Sequence, residues 1–180
     1  RLSDEGAMSR AFVKEDTDDL APVPDLPVSL HPNHVTPRGY AALQAQLLAA
    51  QTRLSALRLR PERLDKLPEA AAERDIRYLE SRLRSAIVID PAGHPAGTVA
   101  FGHRVTVVDE NGQDSTYEIT GEDEADAQLG RIAPQSPLAR ALLGAEPGDL
   151  VTWRRPSGVV ELEILRIDLN AHVLRAHWQQ

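Results

Sequence analysis

Residues 121–149, GEDEADAQLGRIAPQSPLARALLGAEPGD, decide the fold. An acidic turn, a Ser-Pro helix start and a Gly-Asp strand entry follow one another there. Ser136 is suited to cap a helix, and Pro137 behind it needs no N–H at the first helical position. The short helix Pro137-Leu138-Ala139-Arg140-Ala141-Leu142-Leu143 ends at Gly144, with Leu142 and Leu143 assigned to packing. Leu150 to Trp153 and Val159 to Ile167 then read as two strands around the turn Pro156-Ser157-Gly158. Working backwards, Glu110-Asn111-Gly112 separates the strand-like runs 102–108 and 116–120, which is a hairpin signal. Ile87-Val88-Ile89 is a further β-branched run. Residues 87–168 therefore predict an antiparallel sheet carrying one helix, an α+β domain.

Upstream the period changes. Thr36 can cap a helix that Pro37 opens, after which Tyr40, Leu43, Leu47, Ala50, Leu54 and Leu57 recur at intervals of three and four. Pro61 interrupts the pattern and Pro68 restarts it, with Ala72, Ile76, Leu79, Leu83 and Ala86 continuing the same spacing. Neither apolar stripe can be left in water, so residues 36–86 predict an antiparallel coiled-coil hairpin whose tip lies between the prolines. Residues 1–35 combine Glu15, Asp16, Asp18 and Asp19 with four prolines from Pro22 to Pro32. Such a segment offsets little of its ordering entropy, and the expectation is a flexible acidic tail. Residues 169–180 form a C-terminal extension in which Trp178 could pack on the domain or on a second chain.

The net charge of −7 is unevenly spread: −4 over residues 1–35, +4 over 36–86, −8 over 87–168 and +1 beyond. A basic hairpin on an acidic globule suits nucleic acid at one end and a basic protein surface at the other. Cysteine is absent, which excludes thiol chemistry. No apolar run reaches the ~18 residues of a membrane span, and no basic-then-hydrophobic leader opens the chain. The expectation is a soluble cytoplasmic protein without a small-molecule substrate, with Arg1 to Ala7, ahead of Met8, given no structural role. His31 and His34 lie beside prolines, and His94, His103, His172 and His177 are scattered as surface or loop residues. Ser136 has no His-Asp partner in its sequence context. No catalytic residue, metal site or cofactor is predicted, and the chain reads as a non-enzyme.

Several of these features resemble the GreA/GreB family of transcription elongation factors. Thr36 and Gly39 look like the Thr-x-x-Gly that opens the Gre hairpin, and residues 86–90, AIVID, resemble the segment that closes it. Phe101-Gly102 with Val105-Thr106-Val107 is similar to the first strand of the family's C-terminal domain, and residues 121–149 supply the most specific match. The resemblance covers residues 35–168. It implies an FKBP-like domain that docks at the secondary channel of bacterial RNA polymerase, with the coiled coil projecting inward towards RNA and DNA. It also implies that Ser136, Pro137, Leu138 and Ala139 grip a coiled-coil element of the polymerase, with Asp126 and Glu124 adding charge. Gln135 departs from the Asp that the GreB branch often carries.

The hairpin tip departs further. Cleavage-stimulating Gre factors carry an acidic motif there that helps the polymerase hold Mg²⁺ and orient water. This chain lacks it, and by comparison with the family pattern about 20 residues are absent, so that at ~1.5 Å per residue the finger is about 15 Å shorter. The tip carries Glu62, Asp65 and Glu69 alternating with Arg58, Arg60, Arg63 and Lys66. The expectation is a polymerase-binding regulator without efficient transcript cleavage, similar in that respect to the short-hairpin Rnk proteins. The arginines are candidates to touch RNA or acidic groups of the polymerase. Alternatives are an active cleavage factor, a prolyl isomerase, which would need more aromatics than Phe101, Tyr117 and Trp153, and a free RNA-binding protein, which the −8 domain opposes.

Overall fold

Thr36 accepts the N–H of Gly39 and opens α1 (Pro37–Arg58) in the computed structural model, which describes residues 23–169. The second helix, α2 (Leu67–Ser85), carries Pro68 in its first turn, so the connecting turn falls between Pro61 and Pro68. The helices lie antiparallel. Arg53 reaches Asp75 at 3.2 Å and Arg58 reaches Glu73 at 2.8 Å, while Leu43 and Leu79 are buried together with Val35 beneath Tyr40, Leu47, Ala50, Tyr78 and Leu83. The spaced apolar positions thus form the seam, as periodicity requires.

Residues 23–35 differ from the expected tail. Asp25 pairs with Arg77, Ser29 donates to Glu122, and β1 (His34–Val35) pairs in parallel with β2 (Ile87–Val88). These contacts are polar and specific rather than periodic and apolar, and so composition did not reveal them. The rest of the expected tail, residues 1–22, and the extension 170–180 lie outside the described residues.

The second layer is a five-stranded sheet built from β3 (Arg104–Asp109), β4 (Asp114–Ile119), β5 (Arg131–Ile132), β6 (Leu150–Arg155) and β7 (Gly158–Asp168), in the order β5-β4-β3-β7-β6. The expected all-antiparallel sheet is corrected at its edge, because β5 runs parallel to β4. A two-residue strand leaves no apolar alternation to read. A register shift in the β3–β7 pairing at Thr106/Val107 marks an irregularity that bends the sheet. On the concave side α3 (Pro137–Leu142) buries Leu138, Ala139 and Leu142 against Val105, Val107, Ile119, Leu162 and Ile164. Leu143, assigned to packing from sequence, is instead exposed, because the helix ends before it.

His103, in the loop before β3, is fully buried rather than at the surface. Its Nδ1 accepts the N–H of Ala100 at 3.0 Å and Nε2 lies 3.3 Å from the carbonyl of His94, which fits the neutral Nε2–H tautomer. Burial holds its pKa below the ordinary imidazole range.

Candidate functional site

Three neighbourhoods carry the polar chemistry of the molecule: the joint between hairpin and sheet, the Ser136-Pro137 corner, and the hairpin tip.

At the joint, the acidic turn of residues 122–124 faces the bases of both helices. Glu124 accepts from Thr36 Oγ1 at 2.7 Å and from Arg38 Nε at 2.5 Å, and Arg38 also donates to Glu118 at 2.7 Å. Burial opposes the Arg38 charge, but the hydrogen bonds to Glu118 and Glu124 outweigh it and raise its pKa. Fully buried Arg82 donates to Asp123 and to Asn33 Oδ1, each at 2.6 Å, and lies 3.5 Å from Glu122. Tyr78 donates to the other oxygen of Asp123; burial first, and then that carboxylate, push its phenol up to about 12. Close approach is what makes two glycines fit. A Cβ on Gly39 would stand 2.6 Å from Glu124 Oε2, and one on Gly121 would stand 2.6 Å from the carbonyl oxygen of His34. Glu124, expected to face a partner, therefore acts here as an internal tie.

The Ser136-Pro137 corner divides between core and surface. Ser136 accepts from Ala139 N–H at 3.3 Å and donates to the carbonyl of Ala133 at 2.8 Å. Leu138 and Ala139 point into the core, so of the four expected grip residues only Pro137 is exposed and Ser136 partly so. Asp126 is exposed nearby, capping a single 3-10 turn at Ala127–Leu129. Beside Pro137 runs an apolar groove of about 340 Å³ lined by Tyr117, Gly130, Ile132, Leu138 and Trp153. Tyr117 on β4 and Trp153 on β6 are separated in the sheet by β3 and β7, yet their rings meet edge-on at 6.4 Å. Arg155 lies 5.1 Å over the Trp153 ring. Period-two alternation marks Tyr117 and Ile119 as one face, but only the curl of the sheet brings Tyr117 to Trp153. Among the described residues, Gln135 Oε1 is the buried side-chain atom without a hydrogen-bond partner.

At the tip Glu69 is buried while Glu62 and Asp65 are exposed. Arg63 holds both oxygens of Glu69, at 2.7 and 2.6 Å, and Asp65 accepts the N–H of Leu67 at 2.9 Å. The Arg63 hydrogen bond draws the Glu69 pKa below the ordinary carboxylate range and raises that of Arg63. Arg60 bonds the carbonyls of Leu57 and Asp65. Glu62 and Lys66 are exposed. Two carboxylate sets already engaged with a guanidinium and a helix N-terminus do not fit a Mg²⁺ site, which needs several free oxygens in octahedral array. Among the described residues, no three His, Asp or Glu side chains gather as metal ligands, and no helix is long and apolar enough to cross a membrane.

The family model "Transcription elongation factor, GreA/GreB, C-term" matches residues 94–169. A transcription elongation factor GreA of Psychrobacter arcticus is 38% identical over 152 residues, covering 74% of this chain and 95% of that protein. The GreA of Alkalilimnicola ehrlichii is 48% identical over 101 residues, covering 55% of this chain and 64% of that protein. Among solved structures, GreA factor homolog 1 of Thermus thermophilus aligns with a TM-score of 0.38 at 23% identity, over 77% of this chain and 99% of that one.

Proposed function

The chain belongs to the GreA/GreB family of transcription elongation factors, and from that premise we propose that it binds bacterial RNA polymerase at the secondary channel and regulates elongation without efficiently stimulating transcript cleavage. In this reading residues 87–168 form an FKBP-like docking domain, residues 36–86 a coiled-coil finger and residues 169–180 an extension, in a cytoplasmic protein. Ser136, Pro137 and Asp126 frame the docking surface. Tyr117 and Trp153 line its groove, Leu138 and Ala139 support it from the core, and Glu124 fixes its angle to the finger. The rigid Pro137 corner beside an apolar groove suits a coiled-coil partner, since little entropy is lost in ordering it.

The observation that carries the loss of cleavage is the engagement of both Glu69 oxygens by Arg63 and of one Asp65 oxygen by the start of α2, which leaves Glu62 and the second Asp65 oxygen outward at the tip. In the Psychrobacter arcticus comparison some aligned positions have no counterpart in this chain, as a shorter finger would require. Its 152 aligned positions draw on 74% of 180 residues, about 133, and leave about 19 without a counterpart here.

The test adds the protein to stalled, backtracked elongation complexes with Mg²⁺. Saturable binding without 3′-end shortening of the RNA is expected, and weakening of that binding by Pro137→Glu and Trp153→Ala. Prompt shortening at stoichiometric protein would overturn the loss of cleavage; no binding to polymerase would overturn the whole reading.

A further inference from the structure

Followed backwards from β1, the N-terminal segment climbs the hairpin from base towards tip. His34 and Val35 pair with Ile87 and Val88 beyond the end of α2, Asn33 accepts from Arg82, and Asp25 reaches Arg77 at 2.8 Å. Leu26 enters an apolar groove of about 440 Å³ between the helices, beside Ala49, Ala50, Tyr78 and Leu79. Val23 and Leu26 are half-buried, so this stretch is seated on the finger rather than hung from it. At the end of the groove nearer the tip, cations outnumber their partners. Asp75 alone serves Arg53, at 3.2 Å, and Arg74, at 2.9 Å, and among the described residues Arg60 bonds backbone carbonyls. Ahead of Val23 the chain carries Glu15-Asp16-Thr17-Asp18-Asp19, joined to the seated stretch by Leu20-Ala21-Pro22.

We propose that residues 15–22 continue this course as an acidic strap, which covers the open groove and sets its carboxylates against Arg53, Arg74 and Arg60 of its own finger. The reach is sufficient. Asp19 lies six residues before Asp25, about 19 Å at the ~3.1 Å per residue of a proline-rich chain, whereas the start of α2 lies about 15 Å beyond Arg77 at ~1.5 Å per residue. The charges are complementary, since residues 15–22 carry four carboxylates and no cation and the hairpin is net basic. Exposed ion pairs of this kind are too weak to recruit a free peptide. A segment already tethered beside its site acts at an effective concentration on the order of millimolar, and weak contacts then hold it. A second copy of the chain has no such advantage, because it gives up translational and rotational freedom to bind. Any acidic surface or polyanion that approaches these arginines must first displace the strap, so the tail sets a threshold for what the finger binds. This inference is independent of docking to polymerase.

The test exploits the absence of cysteine: Thr17→Cys gives the full chain a single thiol, to which a nitroxide spin label is attached. Loss of amide NMR signal is expected along residues 53–60 and 70–77, with residues 40–46 near the base of α1 spared. The signal should return in the variant Glu15→Gln/Asp16→Asn/Asp18→Asn/Asp19→Asn, and in wild-type acidic sequence at about 1 M salt, where screening falls to ~3 Å. Unaffected helices would overturn the proposal, and so would signal loss that persists after both treatments. Signal loss confined to mixtures of a labelled chain with an unlabelled, isotope-enriched one would assign the strap to a second copy and overturn it as well. Inorganic polyphosphate should restore the signal at far lower ionic strength than sodium chloride, because a polyanion competes for several arginines at once. Equal ionic strength for the two would overturn the threshold role.

Discussion

The base and the tip of the hairpin use the same residue types to opposite ends. At the base, Arg38 and Arg82 meet Glu118, Asp123 and Glu124 in a buried network in which Thr36, Asn33 and Tyr78 take up the remaining lone pairs and protons. At the tip, Arg63 and Glu69 form an equally short pair in which Glu69 is buried and Arg63 is exposed to water. Burial makes the first arrangement costly to break, because removing one partner strands the others out of solvent. Exposure of Arg63 makes the second more replaceable, because water and salt compete for the guanidinium. The base therefore sets the direction in which the finger leaves the sheet, and the tip is free to vary in chemistry.

The sharpest way to break this contrast is Arg82→Ala. The substitution leaves Asp123 and Asn33 buried without their donor, and a loss of about 3–5 kcal/mol is expected in urea unfolding. Arg84→Ala, on the exposed side of the same helix turn, should leave the midpoint near wild type. A loss at Arg82 no larger than at Arg84 would remove the distinction between base and tip.

Next in size is a reversal of sign at Gly39. Alanine at a helix interior normally gains roughly 0.5–1 kcal/mol over glycine. Here the added methyl would meet Glu124 Oε2 at 2.6 Å and displace the carboxylate from Thr36 and Arg38, so Gly39→Ala is expected to destabilise by about 1–2 kcal/mol. In a Glu124→Ala background the obstruction is gone, and the same substitution should become stabilising. A double-mutant cycle measures the coupling directly. Additive effects would show that Glu124 is not what Gly39 accommodates.

What the sequence disclosed follows the range of the interactions. Thr36 before Pro37, Ser136 before Pro137 and the Asn111-Gly112 turn are local devices, and each stands where its chemistry requires. The destinations of Glu122, Asp123 and Glu124 depend on residues 40 to 93 positions away, and an acidic run looks alike whether it faces water or its own arginines. Leu138 and Ala139 follow a Ser-Pro start that could equally present them outward; only the curl of the sheet over α3 turns them into the core. The same curl assembles the Tyr117-Trp153 groove, invisible in strands read one at a time. Asn33 and Asp25 were hidden by the polar composition around them.

His103 offers a smaller effect with a definite sign. Its folded pKa lies below the ordinary value of about 6.5, so as pH falls through that value the unfolded chain binds a proton that the native site resists. Stability should be level above about pH 7 and decline below it, with a slope no steeper than about 1.4 kcal/mol per pH unit from this group. His103→Asn keeps an acceptor for the Ala100 N–H and should lower stability at pH 7.5 while flattening the acid limb, as followed by urea midpoints from pH 5 to 8. An equally steep limb in the variant would assign the decline to other groups.

The smallest expected effect lies at the tip. Arg63→Ala removes a bidentate partner from Glu69, and because the arginine is exposed to solvent the loss in urea unfolding should stay small beside that at Arg82. The change should appear instead in Glu69 itself, whose pKa is held down first by the Arg63 hydrogen bond and should rise towards the ordinary carboxylate range in an NMR titration. Freeing that carboxylate is not expected to confer RNA cleavage on a bound elongation complex. Asp65 still accepts the Leu67 N–H with one oxygen, and Glu62, Asp65 and Glu69 do not gather as ligands for a cation that demands an octahedral shell. Cleavage appearing in Arg63→Ala would mean that the arginine clamp, and not the short finger, is what silences the tip.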